Sequence, residues 1–101
     1  MNEKEVVEIL TRLGCNKSLK GFDMFVKLIL VLLDDFERNP HKTKYKLSDY
    51  YYQVANEFDT TINCVISNIR TAVTISNTYG NGMYPKDVVD MILKKIKRGN
   101  H

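Results

Sequence analysis

Apolar residues recur at three- and four-residue intervals along most of this chain, the period of amphipathic helices. Val6, Val7, Ile9, Leu10 and Leu13 form one stripe, which predicts a first helix from Glu3 to Leu13, stopped by Gly14. From about Ser18 to Arg38 the pattern thickens. Phe22, Phe25, Val26, Ile29, Leu30, Leu32, Leu33 and Phe36 leave little polar face, so this second helix is expected at the centre of the core. Asn39-Pro40 ends it. A third helix is expected from Ser48, read as its N-cap, to Phe58. After the polar break Asp59-Thr60-Thr61, a fourth runs to about Thr78. Tyr79-Gly80-Asn81-Gly82 is a turn cluster. A last helix starts near Pro85, carries Val88, Val89, Met91, Ile92 and Ile96, and ends in a basic tail. Strand alternation, repeats and low-complexity segments are absent. The expected fold is all-α: a compact bundle of about five helices in one domain over residues 1–101.

Composition narrows the picture modestly. A chain of 101 residues that is 44% hydrophobic can bury a core without metal or disulfide staples. The longest apolar run, Leu28 to Leu33, is far short of the roughly 20 residues that span a bilayer. The N-terminus is acidic and has no signal-peptide apolar region, so a cytoplasmic protein is expected. Cys15 and Cys64 match no metal or redox spacing and are expected as reduced thiols. The net charge of +3 permits DNA binding without arguing for it.

Residues 51–70 carry the most information. A pair of helices joined by three or four residues is the geometric content of a helix-turn-helix, placed here at about 48–78. Ala55 supplies the small residue where the second helix crosses the first. Val54 and Phe58 face the shared core from one helix, Val65 and Ile69 from the other. Thr60 or Thr61 can cap the second helix. Two positions fit less well: Asp59 stands where glycine is common, and Asn68 where an apolar residue is common. The outer face then holds Asn63, Cys64, Ser67, Arg70, Thr71 and Thr74, with Ile66 at its edge. No acidic side chain lies between Asp59 and Asp87, so nothing there repels phosphate. Asn, Ser, Thr and Arg can all hydrogen-bond to base edges in a major groove.

Two stretches, EILTRLGCNKSLKGFDMF and ANEFDTTINCVISNIRTAV, resemble the C-terminal effector domain of stage-zero sporulation protein A, a sporulation response regulator. The resemblance rests on a first helix ending in Leu13-Gly14 and on the step Lys20-Gly21-Phe22 into a long second helix. It rests also on the turn Phe58-Asp59-Thr60-Thr61 and on the pair Ile69-Arg70. It implies an all-helical DNA-binding domain with a recognition helix over about 61–78, copies of which bind tandem boxes upstream of promoters. Three departures stand out. The family's receiver domain is missing from these residues, so phosphorylation-controlled dimerisation is not expected within the chain. The family's Glu-Arg base readers are replaced by Ile66 and Ser67. The segment that contacts a polymerase sigma subunit shrinks to about Tyr79–Tyr84, so activation through that contact is not expected.

The leading expectation is therefore a transcriptional regulator that binds double-stranded DNA, as two copies paired or in tandem. Bases would be read by Asn63, Ser67, Asn68 or Thr71. Phosphates would be held by Thr60, Thr61 and Arg70, with the basic loop Lys42, Lys44, Lys46 alongside and the tail Lys94, Lys95, Lys97, Arg98 a weaker candidate. The alternative is a protein-interaction module that kept the scaffold and meets a protein partner through Ile66. No cofactor or metal is expected: His41 and His101 have no partner at ligand spacing. Asp34, Asp35 and Glu37 read as a solvated helix end rather than paired catalytic carboxylates, and no enzyme signature accompanies them. Of Tyr50, Tyr51 and Tyr52, one ring is expected in the core, and another could reach phosphate through its hydroxyl.

Overall fold

The computed structural model describes residues 2–75 and 84–99, with no side-chain detail at 74, 75 and 97–99. All of the described secondary structure is helical: α1 (Glu3–Arg12), α2 (Lys20–Arg38), α3 (Ser48–Glu57), α4 (Ile62–Ile75) and α5 (Pro85–Gly99). The predicted helix end near Thr78 and the Tyr79–Gly82 turn lie outside the described residues.

The sequence of α2 explains its place. Phe22, Met24, Phe25, Leu28, Ile29 and Leu32 are all buried, and α1, α3 and α4 pack around it. α1 contributes Val6 and Leu10, α3 contributes Tyr50, Val54 and Ala55, and α4 contributes Val65, Ile69, Ala72 and Val73. α5 closes the core with Val88, Val89 and Ile92. No described helix is long and apolar enough to cross a membrane.

Helix ends follow local chemistry. Asn2 caps α1 by accepting the Glu5 N–H at 2.9 Å. Gly14, at φ 90°, stops α1, and the Cys15 N–H returns to the Leu10 carbonyl at 3.0 Å. At the start of α5, Pro85 takes the first position and the Asp87 carboxylate reaches back to the Tyr84 N–H at 3.1 Å.

Two predicted starts need correction. α2 begins at Lys20 rather than Ser18, because Ser18 is held in a local turn: its N–H and hydroxyl both donate to Asn16 Oδ1, at 3.0 and 2.6 Å. Ser48 is the first residue of α3 and not its cap. Leu47 precedes it in helical conformation, and the turn is entered through backbone bonds from Asp49 to Lys46 and from Tyr50 to Leu47.

Candidate nucleic-acid interface

The join between α3 and α4 is a Schellman turn. The Thr60 N–H reaches the Ala55 carbonyl at 2.9 Å and the Asp59 N–H reaches Asn56 at 3.3 Å. Asp59 sits at the left-handed position of that motif, with φ 51°, where glycine is the usual occupant. Thr61 then starts α4. Its hydroxyl accepts the Cys64 N–H at 3.1 Å, and its carbonyl accepts Val65 at 3.1 Å. The two threonines thus divide the work: Thr60 closes one helix and Thr61 opens the next.

α4 is held from behind at one point of unusual closeness. A Cβ on Gly21 would lie 1.9 Å from the Asn68 carbonyl oxygen and 3.1 Å from the Ile69 nitrogen. Only glycine lets α2 and α4 meet backbone to backbone there. This is the physical content of the Lys20-Gly21-Phe22 step. It also accounts for Asn68, which is half-buried. Its amide donates to the Cys64 carbonyl at 2.8 Å and lies 3.2 Å from Cys64 Sγ.

The opposite face of α4 is open. Asn63, Ser67, Arg70 and Thr71 are exposed, Ile62 is 41% exposed, and Cys64 and Ile66 are half-buried. The Thr71 hydroxyl donates to the Ser67 carbonyl at 3.0 Å. Burial raises the Tyr51 hydroxyl's pKa, and the Arg70 charge offsets part of that rise, so Arg70 stands beside α3. Of the three consecutive tyrosines, Tyr50 is in the core, Tyr51 is half-buried and Tyr52 is 60% exposed.

The basic loop between α2 and α3 is pinned at two places. Asp35 accepts from Lys42 Nζ at 2.8 Å, from the Tyr50 hydroxyl at 2.5 Å and from Asn39 Nδ2 at 2.9 Å. Lys42 also lies over the Tyr50 ring, 5.6 Å from its centroid. The Lys42 and Tyr50 hydrogen bonds hold the Asp35 carboxyl below the usual range, and Asp35 in turn raises Lys42. Further along, the Tyr45 hydroxyl donates to Asp90 of α5, and its ring meets Phe36 edge to face at 6.1 Å. Asp35 is therefore a half-buried hub that ties the loop to α2 and α3, and not merely part of a solvated helix end. Sequence reasoning missed it because its partners are 4, 7 and 15 residues away, with no periodicity to announce them. Lys42 is committed to that hub, whereas Lys44 and Lys46 are exposed and have no ion-pair partner among the described residues. Lys94 and Lys95 are exposed on α5, and the predicted tail residues Lys97 and Arg98 lie outside the described side chains. Cys15 and Cys64 are free thiols, and burial pushes Cys15 up.

No curated protein matches this chain. A family model does, over residues 6–101, from within α1 through α5, and it takes in the Gly21 crossing and the Phe58–Thr61 turn. The chain belongs to the family of the sporulation initiation factor Spo0A C terminal, a family of DNA-binding effector domains.

Proposed function

We propose that the chain is a transcriptional regulator in which α3, the Phe58–Thr61 turn and α4 act as a helix-turn-helix. In this reading α4 is the recognition helix, Asn63, Ser67 and Thr71 meet base edges, and Thr60, Thr61 and Arg70 meet phosphate. The carrying observation is the exposed polar row on α4, free of acids, on a helix braced from behind by Gly21. Lys44 and Lys46, exposed and without an ion-pair partner among the described residues, supply flanking phosphate contacts, while Lys42 serves the fold. Asn68 faces inward and contributes through the helix rather than through a base.

The base readers of the family are not retained at Ile66 and Ser67, so the site read differs from the family's. A single small module buries roughly 600–1,000 Å² on DNA, so useful affinity needs two copies, paired or in tandem. The protein works in the cytoplasm, on the chromosome. Random-site selection with the full chain at low salt tests the reading: it should yield a defined duplex, and Arg70→Ala, by removing a charged phosphate contact, should weaken binding to it by about ten-fold. Failure to retain any duplex at low salt would refute it. A second reading, a protein-interaction module, is favoured by one observation: Ile62 is exposed on α4, with Ile66 one turn on. It predicts no duplex retention, with the chain forming a protein complex that Ile66→Glu abolishes.

A further inference from the structure

We infer that α4 reads A·T base pairs, with the Ile62 side chain receiving a thymine methyl group and the Asn63 amide an adenine edge. This rests on the DNA-binding reading above and gives it a substrate. Residues four apart stack on a helix, so the open face of α4 resolves into two rows. One is Ile62, Ile66, Arg70; the other is Asn63, Ser67, Thr71. Recognition helices meet base edges with their N-terminal turns. In this chain those turns present isoleucine, asparagine and serine, and no Arg, Lys, Asp, Glu or Gln from 62 to 69.

The major-groove code then decides. Guanine is read by Arg or Lys and cytosine's amino group by Asp or Glu, and neither kind of side chain is present in these turns. An asparagine amide pairs with adenine: its Nδ2–H donates to N7 and its Oδ1 accepts from the N6 amino group. Asn68 cannot serve, because its amide is spent on Cys64. An apolar side chain in the groove meets the thymine methyl, and Ile62 is 41% exposed at the first turn of α4. Ser67 accepts either kind of pair and adds no discrimination. Arg70 lies eight residues beyond Ile62, about 12 Å along the axis. That distance carries it past the bases read by the first turn and toward the flanking backbone.

The test uses the full chain and duplexes from random-site selection. The expected outcome is a core of A·T pairs. Replacing the contacted thymine with uracil, which removes only the methyl, should weaken binding by about four-fold. Ile62→Ala should bind the thymine and uracil duplexes equally, with only a small drop in thermal midpoint because the residue lies outside the core. Asn63→Ala should tolerate replacement of the contacted adenine. A selected G·C core, or equal binding of thymine and uracil duplexes by the unaltered chain, would overturn the inference and leave the DNA-binding reading standing. If no duplex is bound at low salt, both fall.

Discussion

Asp59 holds a left-handed backbone that glycine would adopt at lower cost, and it places a carboxylate three residues before the first residue of α4. These two effects separate by substitution. Asp59→Gly should raise stability by about 0.5–1 kcal/mol in urea unfolding, because the strain at this position exceeds the extra entropy of a glycine. Asp59→Asn keeps a side chain that tolerates the left-handed region while removing the charge. It should leave stability nearly unchanged and tighten DNA binding, more at low salt than at high, in a titration at two ionic strengths. Gly21 is the opposite case, where the missing side chain is the requirement. Gly21→Ala places a methyl 1.9 Å from a backbone oxygen that cannot swing aside, so α2 and α4 must separate. The expected cost is about 3 kcal/mol or more, read by the same urea unfolding.

At the scale of elements, the helices were legible because each buries a stripe that repeats with helical period. α2 was legible as the centre because its apolar residues nearly encircle it. The starts of α2 and α3 were less legible. Ser18 and Ser48 both look like caps, yet one bonds into a neighbouring turn and the other lies inside its helix. The candidate interface was readable where it depends on face, as at Asn63, Ser67, Arg70 and Thr71. It was not readable where it depends on partners remote in sequence, as at Asn68 and Lys42. The connection from α2 to α3 has no regular structure, and its order comes from two carboxylates, Asp35 and Asp90. Both have pKa values lowered in the folded chain, first by Lys42 and Tyr45 respectively. Their contribution is therefore complete above the unfolded value of about 3.9 and is lost as pH falls through the folded values. Asp35→Asn should lower the thermal midpoint at neutral pH. The gap from the unaltered chain should close as pH falls toward about 3, in melts across that range.

Over the whole molecule, charge is unevenly divided along the chain. Residues 1–37 carry seven acids and five bases, whereas residues 38–101 carry ten bases and five acids. The excess of positive charge thus lies in the half that holds the loop, the turn and α4. Among the loop and α4 cations, Arg70, Lys44 and Lys46 are exposed without ion-pair partners among the described residues, and Lys42 is not free. With three phosphates neutralised per copy, the logarithm of the binding constant should fall with the logarithm of salt at a slope of about −3. Lys44→Ala and Lys46→Ala should each make that slope shallower by about one, whereas Lys42→Met should lower the thermal midpoint and leave the slope alone. The meeting of α2 and α4 at Gly21 bears on how such a protein can change. Backbone touches backbone there, so that part of the helix's seat does not depend on the side chains that α4 turns outward. The outward residues can drift, or be exchanged as a set by an engineer, while the helix keeps its seat. A family can then diversify what it reads without relearning how to fold.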